Sequence, residues 1–269
     1  MQPIVSAIVL SYRSPRDTLA CVRALLAQTI GDRLEVIVVD NHSDTDSIGI
    51  LRRQLPGDSR VKIVETSRNL GFGGGYAAGA RVACGTYILI NNPVKMLPPS
   101  AVETLVGKME AEPDIGILAP KLQFPDGSAR FSARRFPLPI DVIANRTVLG
   151  RLFPHRVQRY LQSDISPDQE RDTDWVAGGC VLMRRAFFED LGGFDHRFFL
   201  FFEDIDLCRR CWLRGKRVHY YPTVAVADRQ RRLSEGGVFS LLGTRVGRAH
   251  LLSAMKYFWK WRDKATPMR

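Results

Sequence analysis

Four short apolar runs, separated by helical or polar stretches, dominate the first 120 residues and restrict the fold more than any other feature. "IVSAIVLSY" (4–12), "LEVIVVDN" (34–41), "VKIVET" (61–66) and "TYILIN" (86–91) are rich in β-branched residues and nearly continuous. A strand that is apolar on both sides has to be covered on both sides, which a parallel sheet between helices achieves. Between the first two runs, Leu19, Val22, Leu25 and Leu26 recur at helical spacing over Pro15 to Gln28. Ligands of such sheets bind beyond the carboxyl ends of the strands. Ser11, Tyr12, Asp40, Asn41 and the loop 67–75 are therefore expected on one rim.

Order weakens over 123–173, where "FPDGSARFSARRFPLP" is rich in arginine and proline and 151–172 is polar. This reads as an extended loop region with one helix. "DWVAGGCVLMRR" (174–185), a helix over 204–214 and the strand "RVHYYP" (217–222) follow. At the end of the chain, Leu242, Val246, Ala249, Leu252, Met255 and Trp259 make one helical stripe within a basic segment. Such a helix suits a membrane interface. It equally suits a terminal helix packed on the domain with a solvated basic face.

Charge narrows the partners. The 269 residues carry 39 Lys and Arg against 28 Asp and Glu, a net +11, which favours a polyanionic or phosphorylated partner. Nucleic acid is set aside because no stacking platform or recognised binding motif accompanies the charge. Five cysteines, including the Cys208–Cys211 CxxC, lack a second pair or histidine cluster and read as structural thiols of a reducing compartment. No apolar run approaches the roughly 20 residues that span a bilayer, and the start lacks the features of a signal peptide. The expected location is cytoplasmic, peripheral at the inner membrane face.

Three stretches carry chemistry. "NLGFGGGYAAGA" (69–80) places glycines at a strand-to-helix turn, where phosphate or sugar can approach; a tight turn alone is the other reading. A nicotinamide site is discounted, because the acid expected about 20 residues further on is missing. Asp40 either receives hydrogen bonds from a base or ribose or bounds the next helix. "FFLFFEDIDL" (198–207) sets Glu203, Asp204 and Asp206 directly after four phenylalanines. A carboxylate in such apolar surroundings has its pKa raised, as a general base requires. Glu203 and Asp206 flank Asp204, and one of them is expected to cap the helix or pair with Arg209 or Arg210.

In their order, "VSAIVLSY", "EVIVVDNHSDTDS", "SRNLGFGGGYAAGA", "DWVAGGCVLMRRAFFEDLGGFD" and "FFEDIDLCRRCWLRGKRVHYYP" resemble family 2 glycosyltransferases. The likeness is nearest to the rhamnosyltransferase-like branch that builds bacterial cell-surface polysaccharides. The resemblance implies a GT-A fold over 1–237, with a nucleotide-binding half (1–122), an acceptor-binding half (123–237) and a basic tail (238–269). It implies inverting transfer of a sugar, such as rhamnose or another deoxyhexose, from a nucleotide sugar to a glycan or polyprenyl-diphosphate-linked glycan. Ser11, Tyr12, Asp40, Arg68, Gly71 and Asn92 would line the donor nucleotide, and Trp175, Gly178 and Gly179 the acceptor. Asp204 would be the general base, with Glu203 beside it in the catalytic stretch.

The pattern breaks in two places. Family members hold a divalent cation, Mg or Mn, with an Asn-Pro-Asp aspartate, and "INNPVKMLPP" (90–99) has Val94 there. Valine offers no oxygen to a hard cation. Ala227 stands where the family has a histidine, although Asp228, Arg231 and Ser234 match. Either Lys95, Arg229, Arg231 or Arg232 neutralises the diphosphate, or a nearby acid supplies the metal ligand, or the chain is an impaired nucleotide-sugar or polysaccharide-binding protein. No organic cofactor is expected.

Overall fold

The computed structural model describes residues 3–43, 46–144, 149–229, 244–264 and 266–267. The strands are β1 (Val5–Ser11), β2 (Leu34–Asp40), β3 (Val61–Glu65), β4 (Tyr87–Asn91), β5 (Lys95–Met96), β6 (Ile115–Gln123), β7 (Ala129–Arg130), β8 (Ala133–Arg134), β9 (Arg171–Asp172), β10 (Trp175–Val176), β11 (Cys180–Arg184) and β12 (Arg217–Asp228). The helices are α1 (Pro15–Leu26), α2 (Ser47–Gln54), α3 (Gly71–Ala80), α4 (Ala101–Ala111), α5 (Pro139–Ala144), α6 (Leu149–Leu152), α7 (Pro154–Leu161), α8 (Arg185–Asp190), α9 (Glu203–Leu213) and α10 (Arg245–Trp261). One sheet runs through the molecule in the order β3-β2-β1-β4-β11-β6-β12-β5. β3, β2, β1 and β4 are parallel, β11 is antiparallel to both neighbours, and β12 is again parallel to β6.

The apolar runs found in the sequence are the four parallel strands. In β1, Ala7 and Val9 face a core built with α1 and α4, while Ile8 faces the core that contains Tyr76 of α3. Burial on both sides explains the lack of alternation. The glycines of α3 let it lie close to the sheet. A Cβ on Gly79 would stand 2.5 Å from Ile8 Cγ2 and 2.9 Å from Val39 Cγ2.

Two differences from the sequence expectations have physical causes. Residues 123–173 hold three short helices and three short strands rather than one helix. Asp141 organises part of this region by accepting from the Leu138 amide (2.8 Å) and from Arg156 Nε (2.6 Å). Helices this short leave too few turns for a periodicity to be read. Strand β12 extends six residues past the expected end, because a register irregularity between Tyr221 and Ala225 accommodates Pro222.

For α10 the sequence left two readings open, a stripe at a membrane interface or a helix packed on the domain. The domain-facing residues are Gly247, His250, Ser253, Ala254, Tyr257 and Trp261. The stripe read from the sequence faces outward, with Leu252 52%, Met255 61% and Trp259 67% exposed. Polar tethers decide the choice: Ser253 Oγ donates to the Leu200 carbonyl (2.9 Å), and Trp261 Nε1 donates to Asp206 (3.0 Å). Leu242 lies outside the described residues.

Candidate active site

The rim is built by Asn41, immediately after β2. Its amide donates to the Ser11 carbonyl (2.9 Å), its Oδ1 accepts from the Leu70 amide (2.9 Å), and its Nδ2 donates to the Gly71 carbonyl (3.0 Å). One side chain thus fastens the glycine-rich turn to the ends of β1 and β2. Asp40 is buried and accepts from the Ser43 amide and hydroxyl. It closes its own turn rather than bounding α2. Ser11 Oγ accepts from Thr18 (3.0 Å), while Tyr12 and Arg68 are exposed beside them.

The aromatic–acidic stretch packs directly on this turn. The Phe72 amide donates to the Phe199 carbonyl (2.8 Å). Gly71 has φ +75°, and a Cβ there would lie 2.0 Å from that same carbonyl oxygen. Only glycine combines that backbone with that approach. Phe201 and Phe202 also have positive φ, 68° and 67°, a strained pair that redirects the chain into α9. Phe202 is held there by rings from α10, His250 and Tyr257 among them.

The turn delivers the three acids to different fates. Asp206 is fully buried and structural: it accepts from Arg210 Nε (2.8 Å), Lys260 Nζ (2.5 Å) and Trp261 Nε1 (3.0 Å). Asp204 is half-buried and accepts from the Gly178 amide (3.1 Å) and the Ile205 amide (2.9 Å). Glu203 is only 4% exposed, and its Oε2 has no hydrogen-bond partner. Burial pushes the Glu203 carboxyl well above its ordinary pKa, and the neighbouring Asp204 charge adds to this. Asp204 is also raised, chiefly by burial, against the pull of its two amide donors and the charge of Arg134.

Gly178 and Gly179 join the acidic helix to the end of β4. A Cβ on Gly178 would stand 3.0 Å from Asp204 Cβ, and one on Gly179 3.0 Å from Lys95 Cε. The Asn92 amide donates to the Gly179 carbonyl (2.8 Å). Trp175 is buried behind this wall, with its indole N–H donated to the Arg135 carbonyl (2.7 Å) and the Arg134 guanidinium 5.1 Å from its ring centre.

Where the family pattern expects a metal ligand, Val94 is packed into the core. Beside it, Lys95 Nζ and Arg130 Nη1 both pair with the fully buried Asp228 carboxylate. Burial pulls the Lys95 ammonium below its ordinary pKa, and Asp228 opposes that. Among the described residues, no group of three or more His, Cys, Asp or Glu side chains could hold a metal ion. The nearby carboxylate is engaged by two cations, so these residues do not fit a resident divalent cation. Arg229 is exposed, and its amide donates to the Val94 carbonyl (3.1 Å). Exposed Ala227 pairs with Met96 in the β12–β5 ladder. Arg231, Arg232 and Ser234 lie outside the described residues. Sequence reasoning missed Arg130 and Arg134. They sit in the arginine-rich stretch read as loop, and only the short β7 and β8 strands aim them at the site.

A model of glycosyl transferase family 2 matches residues 6–192. The chain belongs to that family. A second model, glycosyltransferase like family 2, matches residues 148–242. An N-acetylglucosaminyl-diphospho-decaprenol L-rhamnosyltransferase of Mycobacterium tuberculosis is 29% identical over 239 residues, covering 84% of this chain and 76% of the relative. GalNAc-T7 with UDP, GalNAc and Mn2+ superposes with TM-score 0.65 at 17% identity, covering 98% of this chain and 49% of that one. The mannosyltransferase PcManGT of Pyrobaculum calidifontis with GDP-Man and Mn2+ gives TM-score 0.64 at 20% identity, covering 99% and 66%. The fold is therefore GT-A, and this family 2 protein is a rhamnosyltransferase-like glycosyltransferase.

The buried acid pair carries a stability cost that depends on pH. Unfolded Glu203 ionises near 4.5 and folded Glu203 well above it, so between these values the folded chain holds more protons and stability falls as pH rises. Glu203→Gln cannot ionise. Thermal melts between about pH 5 and 8 should show a shallower decline for this variant than for the parent chain.

Proposed function

We propose that the protein transfers a sugar with inversion, using Asp204 as general base. The observation that carries this reading is the position of Asp204: half-buried at a helix start, with its pKa raised, and linked through Gly178 and Gly179 to the Lys95–Asp228–Arg130 cluster. Its Oδ atoms take the proton of an acceptor hydroxyl as that oxygen attacks the anomeric carbon. The bond from that carbon to the diphosphate breaks on the opposite face, and its electron pair leaves with the nucleoside diphosphate. Ser11, Tyr12, Asp40, Arg68 and Asn92 lie on the rim suited to the nucleotide. Lys95 and Arg130, both paired with Asp228, are the cations offered to the leaving diphosphate. No step is assigned to a metal.

The relative's name supports L-rhamnose as the sugar and a polyprenyl-diphosphate-linked N-acetylglucosamine as the acceptor. Among the described residues, no helix is long and apolar enough to cross a membrane. The outer face of α10 supports peripheral contact: exposed Leu252, Met255 and Trp259 lie among Arg248, Lys256 and Arg262. Val94 favours a second reading, a nucleotide-sugar-binding protein without turnover. That reading expects donor binding and no transfer by the unaltered chain.

Asp204→Asn should lower kcat by roughly 10²–10⁴-fold, while a thermal-shift titration with nucleotide sugar shows unchanged donor binding. Near-normal turnover would reject Asp204 as the base. Transfer should survive EDTA, whereas Lys95→Gln should lower kcat on the order of 10²-fold; complete loss on chelation, restored by Mn2+, argues against the cationic cluster. Replacing Leu252 and Trp259 together by Glu should weaken sedimentation with phosphatidylglycerol vesicles by about tenfold or more, with no change in folding.

A further inference from the structure

A second cavity opens beyond the wall formed by Trp175. It has a volume of about 360 Å³ and lies between the end of β8, helices α5 and α7, and Thr266. Ligand cavities run from roughly 300 to 1,000 Å³, so it is large enough for a small polar group and the start of a chain. Arg135, His155 and Arg159 line it together with the apolar Phe136 and Tyr160.

The charges in this cavity are unequally committed. Asp141 is engaged by Arg156 and the Leu138 amide, and Asp174 accepts from the Phe136 amide (2.7 Å). Arg135 and Arg159 are exposed, and neither guanidinium is hydrogen-bonded to a protein group among the described residues. Two uncommitted forks on one concave wall match the oxygens of a phosphate or diphosphate. Exposed apolar side chains lie on the same segment, with Leu138 40%, Ile140 41%, Leu152 69% and Phe153 53% exposed.

The location ties the cavity to the reaction. Arg134 and Arg135 are neighbours in sequence. Arg134 lies over the Trp175 ring and lends its charge to Asp204, while Arg135 lines the cavity and its carbonyl receives the Trp175 indole N–H. The cavity thus backs onto the wall of the candidate active site. We infer that it seats the diphosphate of a prenyl-linked acceptor, with Arg135 and Arg159 gripping the phosphates and the exposed Leu138, Ile140, Leu152 and Phe153 receiving the first isoprene units. The inference rests on the reading of the acceptor as a lipid-linked diphosphate sugar. A phospholipid headgroup shares the phosphate chemistry, and the test separates the two.

The probe is farnesyl diphosphate, titrated calorimetrically into the full chain with millimolar UDP and dTDP present to fill the donor site. Binding is expected, with displacement by inorganic diphosphate, and the double variant Arg135→Gln/Arg159→Gln should weaken it by about tenfold or more. The variant's melting temperature should stay unchanged, because neither guanidinium is bonded to a protein group among the described residues. Equal affinity in the variant, or no binding by the parent chain, overturns the inference. So does a variant that keeps farnesyl diphosphate but loses phosphatidylglycerol vesicles, which assigns the cavity to headgroups. Asp204→Asn should bind the probe normally. A chain that binds farnesyl diphosphate but transfers no sugar would therefore refute the transferase reading and leave the cavity assignment standing.

Discussion

One backbone hydrogen bond, from the Phe72 amide to the Phe199 carbonyl, brings the nucleotide rim and the acidic helix together. It forms only because Gly71 has no side chain where the two strands of chain meet and can hold a positive φ. Asn41 fixes the rim side of this junction, and Phe201 and Phe202 turn the chain on the other. Strain at those phenylalanines is held by the aromatic packing of α10. Everything placed near Asp204, from Gly178 to Lys95, inherits its position from this contact.

The cost of the arrangement is concentrated at Glu203. A buried carboxyl without a partner is unfavourable once ionised, which pushes its pKa up. Asp204, beside it, is only half-buried and accepts from two backbone amides. Asp206, two residues on, has the opposite fate, because three donors surround it. Three acids in one helical turn thus divide into an unpartnered buried carboxyl, a half-buried carboxyl held by two amides, and an anchor.

Much of this was legible in the residues. The parallel strands announced themselves because β-branched runs buried on both faces lose all alternation, and the "FFLFFEDIDL" stretch set acids against aromatics in a way a surface helix would not. Asp206 pairing with Arg210 followed from helical spacing. What stayed hidden had non-local causes. The outward roll of α10 depends on Ser253 and Trp261 finding partners more than fifty residues away. Arg130 and Arg134 acquire a role only through two-residue strands. The Lys95–Asp228 pair joins residues on β5 and the end of β12 that no spacing rule relates.

The attachment of α10 has a consequence for how this chain can be shortened. Lys260 and Trp261 supply two of the three partners of Asp206, and Tyr257 covers Phe202. Trimming the protein before residue 245 would strip a buried anion of one of its two cations and of its indole donor, and uncover the ring beneath the acidic turn. The helix that offers Leu252, Met255 and Trp259 to its surroundings is therefore also the floor beneath the acidic turn. Release from a lipid surface and collapse of that floor can be told apart by altering outward side chains, never by deleting the segment.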